Sequence, residues 1–447
     1  MAASGSPVAS ALTDDFLSAL DRSLAGADTA LARRYPGDPG TRQPVHTVYV
    51  PADDADAGTA RQWGGVALEL LAEHAPAAVV AEITGLGADV DVAVYDRVRA
   101  KLAAQPVEDL RLDFEDGYGN RPDAEEDDDA ERAAGVLLEL LNSPGGPSFA
   151  GIRFKSLEEA TRRRGLRTLD LVVAGVLSGN RFATGEMPAG FLVTLPKVTS
   201  VDQVRAMVRV CEELEHAHAL RPGALRFEIQ IETPQSILGA DGTATVAAMI
   251  HAAGSRCVAL HYGTFDYSAA CGVAPDQQSL AHPVADHAKA VMQVAAAGTS
   301  VRLSDGSTNI TPTGSPQQVR DAMRLHAQLV RRSLDRAYYQ GWDMHPGHLA
   351  TRYLATYAFY RSGLSAAATR LSNYLTKQAS GVMDEPATAQ ALAAFVVRGL
   401  HCGALDDDEV TAGTGVDRPT LEALAQRRPL PVPTTASAHR PPHTEDR

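Results

Sequence analysis

The chain has 447 residues, 45% of them apolar, enough to bury a core. At roughly 100–200 residues per domain that length fits two to four small domains or one large barrel with extensions. Fifty-five acidic against 41 basic residues give a formal charge of −14, which argues against a general binder of nucleic acid or anionic membrane and suits a soluble enzyme.

Residues 1–43 read as an N-terminal helical extension, with one helix over 13–34 and a Pro/Gly linker, YPGDPG, over 35–40. The first 15 residues lack the basic and apolar regions of a secretory signal, and no apolar stretch approaches the ~18 residues of a membrane span. In the following region, 44–350, β-rich runs alternate with helical patterns. The runs are 45–50 (VHTVYV), 110–114 (LRLDF), 151–154 (GIRF), 191–198 (FLVTLPKV), 225–231 (LRFEIQI), 257–262 (CVALHY), 300–303 (SVRL) and 341–344 (GWDM), with 79–83 (VVAEI) as a ninth. The acidic run 123–131 reads as a solvated loop or a helix start. Over 201–216, Val201, Val204, Val208, Cys211 and Leu214 share one helical face, and Ser200 with Gln203 forms a capping-box start. A similar stripe of Val319, Met323, Leu329, Val330 and Leu334 runs through 316–340. Residues 351–427 read as a C-terminal helical lid region, and the Pro-rich stretch 428–447 as a disordered tail. Cys211, Cys257, Cys271 and Cys402 lie far apart without CxxC spacing, and read as buried thiols of a protein in the reducing cytoplasm. Eight strands alternating with helices predict a (β/α)8 TIM barrel; a doubly wound open sheet is the alternative, and periodicity alone does not choose between them.

In such a barrel, catalytic side chains sit at the C-terminal strand ends. Polar groups gather there: Asp113, Glu115 and Asp116 after the second run, Arg153 and Lys155 at the third, and Lys197 at the fourth. Glu232 follows the fifth, His261 and Asp266 the sixth, Asp305 the seventh, and His345 and His348 the eighth. A solvated rim does not account for charged ends in series. A hard divalent cation takes oxygen ligands, with one or two protein carboxylates and the remainder from water and substrate. Glu232 and Asp266 end adjacent runs and would converge on one Mg²⁺ or Mn²⁺ ion, leaving positions for an oxo acid. Arg153 would hold its carboxylate or the developing enolate oxygen, its alternative being a salt bridge to Glu115 or Asp116.

These residues stand in motifs that resemble the HpcH/HpaI aldolase and citrate lyase β-subunit superfamily. VYVP at 48–51 is similar to its opening strand, LDFED at 112–116 to its D-x-E-D strand, and Arg153 to its substrate-binding arginine. Pro196-Lys197-Val198 matches its P-K-V strand end, Ile231-Glu232-Thr233 its I-E-T ligand motif, GTFD at 263–266 its second ligand motif, and His345-Pro346 its final H-P. The resemblance covers roughly residues 44–400, in order. The longer phrases YGTFDYSAACG, LSDGSTN and QGWDMHPGHL resemble an aldolase branch of the superfamily. Lys155 stands where that family has Asn, Pro234 replaces a small residue, and 79–105 is an insertion.

The resemblance implies a barrel of the phosphoenolpyruvate/pyruvate type, a Mg²⁺-dependent enolate mechanism and homo-trimers or hexamers. It also implies a C-terminal lid whose aspartate acts across a subunit boundary. VMDEP at 382–386 is similar to that lid motif, which points to Asp384 as a general acid/base; its alternative is a helix N-cap. The expected catalytic set is Arg153, Glu115 and Asp384. Arg153, Asp116, Lys197 and His345 are expected to contact substrate, and Glu232 and Asp266 to hold the metal. Lys197 has a sharper alternative as a Schiff-base amine, which the nearby carboxylates oppose. The expected activity is carbon–carbon bond cleavage or formation through the enolate of an oxo acid or acyl-CoA. A phosphoenolpyruvate-type enzyme and a silent oxo-acid-binding or partner subunit remain open.

Overall fold

A computed structural model describes residues 11–179, 185–376 and 385–428. Helix α1 (Asp14–Arg34) begins on Thr13, whose side chain accepts the Phe16 N–H at 3.3 Å, and none of its residues is buried. Then come β1 (His46–Pro51), α2 (Thr59–His74), α3 (Val80–Thr84), α4 (Val92–Ala104), β2 (Asp109–Asp113), α5 (Asp123–Asn142), β3 (Phe149–Arg153) and α6 (Arg162–Gly179). The middle third holds β4 (Phe191–Leu195), α7 (Val201–Ala217), β5 (Phe227–Ile231), α8 (Pro234–Ile237), α9 (Thr245–Ala253), β6 (Cys257–Tyr262) and α10 (Thr264–Ala270). The chain continues through α11 (Pro283–Ala296), β7 (Arg302–Ser304), α12 (Pro316–Asp335), β8 (Gly341–Asp343) and α13 (Pro346–Thr376). It ends with α14 (Pro386–Cys402), α15 (Asp407–Thr414) and α16 (Arg418–Ala425).

All strand pairs are parallel, in the order β7-β6-β5-β4-β3-β2-β1-β8. The ring closes between β7 and β8 through a Ser304–Gln340 bridge and the Asp305 N–H donating to the Gln340 carbonyl at 2.8 Å. This closure makes the fold a (β/α)8 barrel and removes the open-sheet alternative. Val48, Leu110, Leu112, Ile152, Val193, Ile229 and Leu260 are buried on the helix-facing side of the strands, which is where the apolar core lies. The alternate residues point into the barrel, and many of them are polar. Glu228 accepts from Arg111 (3.0 and 3.1 Å) and Thr194 (2.6 Å), with His261 Nε2 at 3.0 Å. Trp342 donates to His261 at 3.1 Å. Arg111 also pairs with Asp109, which accepts from Thr47 at 2.8 Å, and Gln340 donates to Thr47 at 2.9 Å.

Several local expectations change. Residues 79–83 form part of a short helix instead of a strand. Their β-branched composition suggested a strand, but Val80 and Thr84 are both buried at i, i+4 spacing and Gly85 ends the turn at φ +69. The acidic run begins α5, yet it is not merely solvated: Glu126 is fully buried, with Lys155 at 2.6 Å. Ser200 caps the Gln203 N–H at 3.4 Å as expected, but the Gln203 side chain accepts from Thr199. Three of the four cysteines are buried, and Cys271 is exposed. The helix across the boundary expected at 350 is continuous, and 429–447 lie outside the described residues. Among the described residues no helix is long and apolar enough to cross a membrane.

Glu108 fastens the linker to the barrel. Fully buried before β2, it takes Arg42 at 2.7 Å, Lys101 at 2.8 Å and the Val45 N–H at 3.0 Å. Burial alone would raise its pKa; Lys101 and Arg42 outweigh that and hold it down to about 2. A carboxyl depressed in the folded state stabilises fully above its unfolded pKa, and that contribution fades as pH falls toward the folded value. Glu108→Gln should therefore cost on the order of 3 kcal/mol in urea unfolding at pH 7, and clearly less at pH 3. An equal cost at both pH values would show that the Glu108 charge contributes nothing.

Candidate functional site

The C-terminal barrel mouth is built from short turns that leave β2 to β6. Asp113 ends β2, and its carboxylate accepts the N–H groups of Glu115 (3.0 Å) and Gly117 (2.9 Å), which folds the following turn over the strand. The same carboxylate receives Arg153 Nε and Nη2 from the end of β3, each at 2.6 Å. The bidentate partner of Arg153 is thus Asp113, while Glu115 lies 3.6 Å from Nη1 and Asp116 forms no ion pair with it among the described residues. Two aromatic rings flank the guanidinium, Tyr49 with its centroid at 4.8 Å and Trp342 at 5.8 Å. Lys155, two residues beyond, turns away from the mouth to Glu126 and the Phe114 carbonyl (2.9 Å).

Beyond β4, Lys197 adopts φ +49, a left-handed conformation that costs a non-glycine residue of order 1–3 kcal/mol. Its backbone N–H donates to Glu232 Oε1 at 2.7 Å. Its ammonium lies 2.6 Å from Glu115, 2.6 Å from Asp116 and 3.8 Å from Asp266. Burial would lower the Lys197 pKa; the Asp116 and Glu115 carboxylates outweigh it and hold the amine well above its ordinary value. A protonated amine of this kind is the reverse of what Schiff-base chemistry requires.

Glu232 follows β5 directly and is buried. Among the described residues no cationic side chain forms a salt bridge with it. Burial pushes its carboxyl up, Glu115 and Asp266 add to the shift, and Arg153 with the Lys197 N–H only partly offset them, leaving it at about 8. Burial raises Glu115 as well, while Lys197 and Glu115 hold Asp116 down against its own burial. Gly263 makes room for Glu232: a β-carbon there would collide with the Glu232 side chain and lie 2.7 Å from Oε2. Asp266 stands in the first turn of α10 with its side chain half exposed.

The structure thus gathers Glu115, Asp116, Arg153, Lys197, Glu232 and Asp266. His345 stays apart. It is half-buried, accepts the Gly347 N–H at 3.0 Å, and among the described residues has no hydrogen bond or ion pair to the cluster. His348 is buried, with Nε2 3.0 Å from the Ile310 carbonyl. His326, Asp343 and His348 have ligand-type atoms within 4.8 Å of one another, but on the outer side of β8, against α12 and α13. The charge of Asp343 is already answered there by Arg352 at 2.8 Å, with His46 and His326 each at 3.1 Å. Asp384 lies outside the described residues. Glu385 occupies the position before α14, and Ala387 lines a cavity at the N-terminal barrel face with Val45 and Arg302.

Tyr49 and Trp342 carry no site role in the sequence reading, and Gly263 enters it only as the first residue of the GTFD motif. Alternation from Thr47 would have turned Tyr49 inward, but nothing in the sequence indicated that Gly263 stands against Glu232.

Among solved structures, the lead(II) complex of Haloferax volcanii malate synthase is 15% identical, covering 83% of this chain and 88% of that chain with a TM-score of 0.45. RipC from Yersinia pestis is 14% identical over 71% of this chain and 96% of that one, with a TM-score of 0.41. The CitE protein of Mycobacterium tuberculosis, in complex with magnesium and acetoacetate, is 16% identical over 80% and 99%, with a TM-score of 0.41. Likenesses this distant carry no argument about activity, and the barrel rests on its own strand pairing. No curated protein sequence is significantly similar. One family model, described as "Domain of unknown function (DUF6986)", matches residues 24–429, which is most of the sequence, and the chain belongs to that family.

Proposed function

We propose that the chain is a divalent-cation-dependent carbon–carbon lyase, or the aldolase running the reverse condensation, acting through the enolate of a 2-oxo acid or acyl thioester. The observation that carries this reading is Glu232, a buried carboxyl pushed up to about 8 by burial and by neighbouring acids. Around it Asp113, Glu115, Asp116 and Asp266 bring the acids to five, against the two cations Arg153 and Lys197. The formal excess of three acids over cations suits a divalent ion, whose binding would displace the proton from Glu232, and the oxygen-only donor set suits a hard one such as Mg²⁺ or Mn²⁺. The order of motifs that resembles the HpcH/HpaI superfamily supports the same reading.

Glu232 and Asp266 would hold the ion, which when bound supplies Lewis-acid stabilisation of negative charge on substrate oxygens. Arg153 is aimed by Asp113 and keeps Nη1 outside that fork, so it would bind the substrate carboxylate or the oxygen on which enolate charge develops. Lys197 contributes a fixed positive charge at the same mouth. Glu115, raised by burial, is suited to take the β-hydroxyl proton in the cleavage direction. Asp384 would serve as the second acid/base, and Asp116 and His345 would contact substrate at the rim.

Calorimetry with Mg²⁺ and oxalate, a mimic of the pyruvate enolate, tests the metal assignment. The wild type should bind oxalate only with Mg²⁺ present. Glu232→Gln and Asp266→Asn should each weaken that binding at least ~100-fold, about 2.7 kcal/mol, with circular dichroism unchanged. Full Mg²⁺-dependent oxalate binding by both variants would sink the assignment. Gly263→Ala should behave like Glu232→Gln, because its new methyl group displaces the carboxyl without touching substrate; wild-type affinity in that variant would remove the steric argument. Arg153→Lys should keep the cation and lose about 100-fold in kcat/KM, measured by mass spectrometry on whichever oxo acid or acyl-CoA the wild type cleaves. An undiminished rate would exclude Arg153 from the reacting centre.

A further inference from the structure

On the barrel face opposite this site lies a cavity of about 530 Å³, within the range of small-molecule pockets. Its walls come from the linker at 37–43, the turn before β7, the turn before β8 and one side of α14. Two arginines reach it. Arg302, the first residue of β7, donates through Nη2 to the Thr41 carbonyl at 2.7 Å and to the Thr41 hydroxyl, and among the described residues it has no salt bridge. Arg398, on α14, lies 4.6 Å from the Tyr339 ring centroid and contacts Asp38 at 3.3 Å, a partner whose side chain is itself 46% exposed. Asp38 is the one acidic residue in the lining. Burial, Arg226 and Arg398 lower the Arg302 pKa to about 10, although Asp38 and Asp109 partly oppose them. The charge of Arg302 is therefore poorly compensated where it stands. His401 is pushed down by burial and by Arg418, so it faces the cavity uncharged near neutral pH. Val45, Val301, Ala394 and Val397 supply apolar wall.

A guanidinium without a carboxylate partner and a second one over an aromatic ring, in a half-enclosed space with apolar walls, form a receptor for an anionic head on an apolar body. We propose that this cavity binds a small organic anion, a carboxylate or a phosphate monoester with an apolar substituent, through Arg302 and Arg398. The site is independent of the barrel mouth. It lies at the opposite ends of the strands and uses none of Glu115, Arg153, Glu232 or Asp266.

The test uses the full chain in EDTA, which silences any cation-dependent binding at the mouth. 4-Phenylbutyrate and phenyl phosphate are titrated by calorimetry and thermal shift, with 4-phenylbutanol as the neutral control. At least one anion should bind with a Kd below about 1 mM and raise Tm, while the alcohol should do neither; which anion binds identifies the head group. Arg302→Gln and, separately, Arg398→Gln should each weaken binding at least tenfold, and Glu232→Gln should leave it unchanged. Arg398 stands near the surface of α14, so its variant remains informative if Arg302→Gln loosens the linker. Binding of neither anion, equal binding of the alcohol, or wild-type affinity in both arginine variants would overturn the proposal.

Discussion

A single buried arginine organises the inside of this barrel. Arg111 has no exposure, and its guanidinium is shared between Glu228 and Asp109. Removing these charges from water is expensive, and only a closed set of partners makes the arrangement tolerable. Thr194, His261, Trp342, Thr47 and Gln340 complete that set, so β1, β2, β4, β5, β6 and β8 are tied together through polar contacts across the interior. The seam between β7 and β8 is held by the Ser304–Gln340 bridge and by the Asp305 and Trp342 N–H groups donating to the Gln340 and Gly306 carbonyls at 2.8 and 3.3 Å, and Gln340 lies both at that seam and in the polar network. Along β5, Glu228, Gln230 and Glu232 share the inward face. The position of the candidate metal ligand is therefore set by the fully paired charge two rungs below it.

That contrast separates structural from chemical acids at the mouth. Asp113 has its four interactions in place: two from Arg153 and two from backbone N–H groups of its own turn. It has nothing left to offer a ligand, and acts by aiming Arg153. Glu232 has one backbone donor and, among the described residues, no paired cation; Glu115 and Asp266 add like charge, and Arg153 offsets the shift only in part. A fold that fully satisfies one buried carboxylate and leaves another, three strands away, short of partners concentrates unmet electrostatic demand there.

The sequence displayed the strands because each is a short run of β-formers between turn signals, and strand-end polarity displayed most of the mouth. Glu232, Asp266, Arg153 and Lys197 were legible because each lies at or within a few residues of the end of such a run. What it hid was relational. The Arg153 partner could not be chosen among three nearby acids, since only the Asp113 turn decides which carboxylate faces β3. Residues 79–83 carry strand-like side chains, but their burial against outer helices at i, i+4 spacing makes them a helix. Lys155, a departure from the family pattern at a strand end, turned out to balance Glu126 under α5, and an acidic run on paper gives no hint that one of its members is buried. The anionic-ligand cavity was invisible because its two arginines are almost a hundred residues apart and mean nothing until α14 folds back beneath the barrel.

Helix α13 works as a ruler. Its 31 residues start beside the mouth at Pro346 and, at 1.5 Å per residue, carry the chain about 46 Å away. The first turn of α14 lines the opposite face through Ala387. Tyr360 of α13 also lines that cavity, so one unbroken helix joins the rim of the reacting mouth to the second site.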